Sequence, residues 1–330
     1  MTGGMTARAA LLPLLLIAAA MLGLAWGQIT VGPAALWHGA VSGEGMGAAM
    51  LSTFRGPRVA TALGAGAALG IAGGLFQTLF RNPLASPDIL GFDSGAALAV
   101  VAATAFGLIA PMSLVAAAGG LASAALVGVA SYRRGHATPP LTMILVGLGI
   151  GFMTSALATF LMTLLPSNEA GEAQRWMTGS LAARSWDHVA RIWIPGALLA
   201  AALLVRIRLL GALELGSDLA AGLGVGVAAA RRGFVAAGVL LAALAVAVAG
   251  PVPFVALMSA PLGARLTGAR GLVGRMLAAA GAGALILTLS DTIARSALTG
   301  TELPAGVLTG LLGAPYLLWR LSREMEGGGL

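Results

Sequence analysis

The chain has 330 residues, of which 58% are hydrophobic and 9% charged, with a mean hydropathy of +0.93. A soluble domain carries about 25% charged residues, so this chain lacks the polar groups to cover a surface in water. The net charge of +7 rests on 19 basic residues, all Arg and scattered singly or in pairs between apolar runs, which is the pattern of loops beside membrane helices rather than of a nucleic-acid face.

A helix that spans the hydrocarbon core needs about 20 apolar residues. Backbone groups find no water there, so only helices or closed barrels span. The apolar runs lack the alternation of a barrel, and an all-α polytopic protein of about ten transmembrane helices is expected, as one domain over residues 1–330. The first run covers 9–27; a signal peptide is the alternative reading, but the rest of the chain is equally apolar. A polar, Gly-rich segment follows from Gln28 to Thr53. The second run, 57–77, is broken by Arg81–Pro87, and the third, 93–109, by Pro111. The fourth ends at Tyr132-Arg133-Arg134, and the fifth covers 140–165. Pro166–Asp187 is polar, holds two Glu and reads as a loop. The sixth run covers 188–206, and the more polar 211–230 reads as short surface helices. The seventh, 232–249, ends at Gly250-Pro251-Val252-Pro253; the eighth, ninth and tenth cover 254–268, 272–293 and 304–321.

Placing the N-terminus inside puts thirteen Arg on the inner side and six (Arg55, Arg58, Arg175, Arg184, Arg191, Arg295) on the outer side. That bias fits the positive-inside rule with both termini cytoplasmic. Gly66, Gly70 and Gly74 recur every four residues on one face of the second run. They predict close helix approach, either inside the subunit or at a dimer seam.

A P-loop needs a Lys to reach the phosphates, and this chain has none. ATP and Mg, if they drive the protein, are therefore bound by a separate subunit, and no cofactor is expected here. The absence of Cys excludes disulfides and thiolate metal sites, and His38, His136 and His188 are too far apart in sequence to suggest a metal site, reading instead as loop or interface residues. Asp291 lies four residues before Arg295 and is expected to pair with it on one helix face. Gln77 and Asn82 flank the break after the second run, where they either satisfy freed backbone groups or line a path.

Four groups of residues then matter in order. Arg55-Gly56-Pro57-Arg58 precedes Gln77, Arg81-Asn82-Pro83-Leu84-Ala85-Ser86-Pro87-Asp88-Ile89-Leu90-Gly91 and Gly95; Trp176-Met177-Thr178-Gly179-Ser180-Leu181 follows. Leu215-Gly216 leads to Ala221-Gly222-Leu223-Gly224-Val225. The last group is Gly250-Pro251, Phe254-Val255, Pro261, Arg265, Asp291-Thr292-Ile293-Ala294-Arg295, Glu302-Leu303-Pro304, Gly306-Val307 and Gly313-Ala314-Pro315. From Arg55 to the C-terminus the chain resembles the FecCD-type permeases, the transmembrane subunits of ABC importers for iron–siderophores, haem and cobalamin. One departure is Leu262 after Pro261, where the family usually has His.

The resemblance implies a bacterial inner-membrane protein that pairs with a second permease subunit, identical or different. It further implies two ATP-binding cassette subunits on the cytoplasmic face and a periplasmic substrate-binding protein outside. Arg55, Arg58 and Arg295 match the arginines that dock the binding protein, a task suited to the bidentate guanidinium. Gly222, Leu223 and Gly224 match the cytoplasmic coupling helices that touch the ATPase, within 211–230. Gln77, Asn82 and Pro83 are path candidates. The expected cargo is a ferric-siderophore-like chelate, with haem or cobalamin as the alternative within the family. An ion-coupled carrier or channel is the rival from another class.

Overall fold

A computed structural model describes residues 3–132, 140–298 and 300–326, and these residues are almost wholly helical. Helices α1 (Gly3–Ala25), α2 (Pro33–Ser42) and α3 (Gly45–Ala49) lead through a π turn (Met50–Phe54) into α4 (Gly56–Phe80). A 3-10 turn (Pro87–Leu90) precedes α5 (Phe92–Ala105), α6 (Met112–Ala130), α7 (Pro140–Met162) and α8 (Ser167–Met177). Then come α9 (Trp186–Val205), α10 (Ile207–Glu214), α11 (Ser217–Gly222), α12 (Val227–Ala249), α13 (Val255–Thr267), α14 (Leu272–Ala294) and α15 (Ala305–Glu326).

A helix stands at each of the ten expected positions. Among the described residues, six stretches are long and apolar enough to cross a bilayer: 45–80, 112–130, 142–162, 186–205, 227–249 and 272–294. Shorter apolar runs lie in α1 and α5. Arg133, Arg134 and His136 lie outside the described residues.

Helix α4 runs through the middle of the bundle. Its most apolar stretch is 78% buried, against 17% for α7 and 11% for α9, so α4 is the core and those two are the periphery. The small-residue face explains the position. A Cβ added at Gly66 or Gly70 would run into the α14 backbone at Gly283 or Ala279, and one at Gly74 would press on Met276. The three glycines therefore seat α4 against α14 within one chain, not at a seam between chains. In lipid, where apolar side chains gain nothing by leaving the solvent, such close backbone approach supplies much of the association energy. Helix α1 joins the same unit, with Leu12 and Ala19 packed against Ala278 and Leu285 of α14.

Three expectations need correction, and one segment takes a structure that its composition left open. Pro166–Asp187 is not a plain loop, because Ser167–Met177 forms α8. Its polar residues form the outer face of a helix whose inner side buries Ala173 with Val101 and Ala158. The Gly-rich segment 28–53 is mostly helical as α2, α3 and the π turn. Of 211–230, residues 227–230 are the first turn of α12, and the short helices are α10 and α11. His38 and His188 sit in helices, and the His188 ring closes a capping box with Ser185 at the start of α9.

Candidate functional site

At the N-terminal end of α4 the structure gathers Arg55, Arg58 and Arg295, but it buries all three. Helix α1 ends there, and its last carbonyls have no partner inside the helix. Arg55 Nη1 donates to the carbonyls of Leu24 (2.9 Å) and Ala25 (3.0 Å), and its Nη2 to that of Ile29. Arg295 Nη2 donates to the carbonyl of Gly23. Two guanidinium groups thus cap one helix C-terminus, where positive charge also complements the helix dipole. Burial pushes Arg295 down to about 10, which leaves it charged at neutral pH.

Arg58 is committed differently. Its Nε and Nη2 donate to Asp291 Oδ2 and Oδ1, both at 2.9 Å, and its Nη1 to Glu302 Oε2 at 2.8 Å. Asp291 is 2% exposed, whereas the Glu302 side chain is 45% exposed. The expected Asp291–Arg295 pair is replaced by this fork, because Arg58 reaches Asp291 from the neighbouring helix and takes both carboxylate oxygens. The sequence-similar motifs also meet here: Gly306 N–H donates to the Gly179 carbonyl (3.1 Å), and a Cβ at Gly179 would strike Pro251. Of the six arginines assigned to the outer side, Arg175 and Arg191 are the exposed ones.

The opposite end of α4 is built around Pro261. A proline inside a helix cannot donate to the carbonyl four residues earlier, and that carbonyl, Leu257, accepts from Gln77 Nε2 at 3.0 Å. Helix α4 stops at Arg81, which takes the left-handed conformation with φ 48°. Asn82 Oδ1 then accepts from the Leu84 N–H at 2.8 Å and turns the chain. Gln77, Asn82 and Pro83 line a cavity of about 580 Å³ together with Arg81, Arg265, Arg275, Arg320 and Glu214. Gln77 and Asn82 therefore satisfy backbone groups at this break, and both also face the cavity.

Helices α10 and α11 adjoin this end. Glu214 of α10 pairs with Arg275 of α14 at 2.7 Å, and Ser217 of α11 accepts from Arg231 of α12 at 3.4 Å. Leu215, Leu219 and Leu223 are all exposed, Leu223 at 67%. Gly224, at φ +79°, ends the segment in a conformation that a side chain would strain. The product is a short apolar ridge, anchored to two long helices and facing away from the bundle. Glu214 and Glu302 were missed as partners in the sequence, since their arginines lie 61 and 244 residues away. Among the described residues, no cluster of His, Asp and Glu is arranged to hold a metal.

Comparison with known proteins places this architecture. The ferric enterobactin transport system permease protein FepG of Escherichia coli is 38% identical over 83% of this chain and 83% of its own length. The Fe(3+)-citrate import system permease protein YfmE of Bacillus subtilis is 32% identical over 95% of this chain and 94% of its own length. A solved structure assigned as a metal-chelate type ABC transporter, in an inward-facing conformation, superposes with a TM-score of 0.81 at 28% identity, covering 96% of this chain and 99% of that one. The match to the FecCD transport family runs over residues 15–323, so it takes in the second half of α1 as well as the region from Arg55 onward. The chain therefore belongs to the FecCD transport family.

Proposed function

We propose that the chain is the permease subunit of an ABC importer that moves a ferric-siderophore-like chelate inward, driven by ATP hydrolysis on separate ATPase subunits. The carrying observation is full-length kinship: relatives named for ferric enterobactin and Fe(3+)-citrate match more than four-fifths of both chains. The absence of any Lys, and so of a P-loop, fits an energy source held by a partner. The working assembly is a pair of permeases, two ATP-binding cassette subunits that bind ATP and Mg, and a periplasmic binding protein. Ten spans lie in the bacterial inner membrane with both termini cytoplasmic.

In this reading the ridge of Leu215, Leu219 and Leu223, framed by Gly222 and Gly224, seats in a cleft of the ATPase. The cavity at Gln77, Asn82 and Pro83 belongs to the inner part of the path. The binding protein docks over Arg55, Arg58 and Arg295. Because Arg55 and Arg295 are spent on α1, the exchangeable contact is Arg58 Nη1, where an incoming carboxylate would take the place of the half-exposed Glu302. An ion-coupled carrier fits less well, since Asp291 is gripped by two nitrogens of Arg58 rather than poised to change partners.

Proteoliposomes containing the chain, its ATPase and its binding protein are expected to take up ferric siderophore only with ATP inside. Uptake by the chain alone under a proton or sodium gradient would overturn the proposal.

A further inference from the structure

A second cavity lies on the bundle's flank, between α6, α7 and the start of α12, with a volume of about 480 Å³. Its two ends differ in chemistry. The chain ends of α6 and α12 bring Ser131, Tyr132, Arg231 and Arg232 together at one rim. Away from that rim the walls are apolar, from Val235 to Leu240 on α12 and from Val129 back to Leu121 on α6. At 1.5 Å per residue, Leu240 lies about 13 Å beyond Arg231 along the helix, which is acyl-chain depth. Arg232 is exposed, and Arg231 keeps a buried Nε with no hydrogen-bond partner, although its Nη2 reaches Ser217 at 3.4 Å.

A void of this kind at hydrocarbon depth leaves its wall atoms without dispersion partners. Water gains little there, because polar groups are confined to the rim. An anionic amphiphile matches both ends, with its chain on the apolar wall and its phosphate on the paired guanidinium groups. We infer that this flank cavity is a binding site for an anionic phospholipid, held by Arg231 and Arg232 at the interface and by the α6–α12 trench below it. The inference depends on the membrane fold, not on the cargo proposed above. Through Arg231 and Ser217 the bound headgroup touches the support of α11, so lipid and the coupling segment share a residue.

Gly128 supplies a clean test. It lines the trench, and a Cβ added there meets nothing within 4 Å, so a larger side chain fills the cavity without displacing backbone. The full chain is solubilised with equal phosphatidylglycerol and phosphatidylcholine, delipidated stepwise and weighed by native mass spectrometry. Wild type is expected to retain phosphatidylglycerol preferentially. Arg231→Gln with Arg232→Gln is expected to weaken retention at least roughly ten-fold. Gly128→Phe, with both arginines intact and unchanged monodispersity, is expected to lose it as well. Wild-type retention in Gly128→Phe, equal retention of phosphatidylcholine, displacement by inorganic phosphate alone, or loss of lipid whenever a second copy binds would each overturn the site.

Discussion

Arg58 shows how far one residue's role depends on what surrounds it. Its guanidinium spans a buried carboxylate, Asp291, and a half-exposed one, Glu302. Removing one partner of a buried pair strands the other charge and costs about 3–5 kcal/mol, whereas an exposed pair is worth about 1 kcal/mol or less. Asp291→Asn is therefore expected to destabilise the chain by roughly 3 kcal/mol, and Glu302→Gln by under about 1 kcal/mol, in thermal unfolding in detergent. Equal losses would mean that the fork is not the anchor. Glu302→Gln also frees Arg58 Nη1, so the docking proposal expects tighter association of the binding protein, measured on the assembled transporter. Weaker association would remove Arg58 from the interface. None of this pairing was legible in the sequence. Asp291 has an obvious neighbour in Arg295 one helical turn away, while its real partner is 233 residues earlier and becomes visible only when α4 and α14 are packed.

Helix elements were the most legible level, because hydropathy over about 20 residues carries a strong signal and Gly and Pro punctuate it. Where the signal is composition alone it misleads: α8 is polar enough to pass for a loop, yet one buried Ala173 and a run of good helix formers suffice for a helix. The glycine spacing in α4 was readable, and the structure adds which glycines bear load. Gly70→Ala is expected to cost about 1–3 kcal/mol, since the new methyl meets the rigid backbone at Ala279. Gly128→Ala in α6 meets open space and is expected to be neutral or to stabilise by up to about 1 kcal/mol. Similar stability changes for the two in parallel melts would contradict the close packing of α4 on α14. At the α10–α11 element, Leu223→Asp places a charge where the ATPase contact is proposed, on a side chain that the bundle itself leaves exposed. Its expected signature is a folded permease whose ATPase partner hydrolyses ATP without uptake. Coupled transport at the wild-type ratio would remove the assignment.

At the scale of the whole molecule, the proposed division of labour rests on where charge and apolar surface lie. The arginines sort to two ends of the bundle: Arg55, Arg58 and Arg295 gather at one, Arg81, Arg265, Arg275 and Arg320 at the other. Apolar α7 and α9 face outward along the flanks, the surface expected of a subunit that meets lipid and other membrane chains. The chain has no Lys and so no Lys-bearing P-loop, and the proposal places the nucleotide on a partner subunit. A ligand that binds only the native state stabilises it by RT ln(1 + [L]/Kd), or about 2.7 kcal/mol at a hundred-fold excess over Kd. A non-hydrolysable ATP analogue with Mg is therefore expected to leave the melting temperature of the isolated chain unchanged. The same analogue should raise that of the complex with the ATPase subunits, because in the proposed assembly the closing ATPase pair grips the α10–α11 ridge. Protection of the isolated chain would show a nucleotide site that the absence of Lys disguises. Protection of the ATPase subunits with no change in the permease would mean that the ridge of Leu215, Leu219 and Leu223 is not where the energy enters.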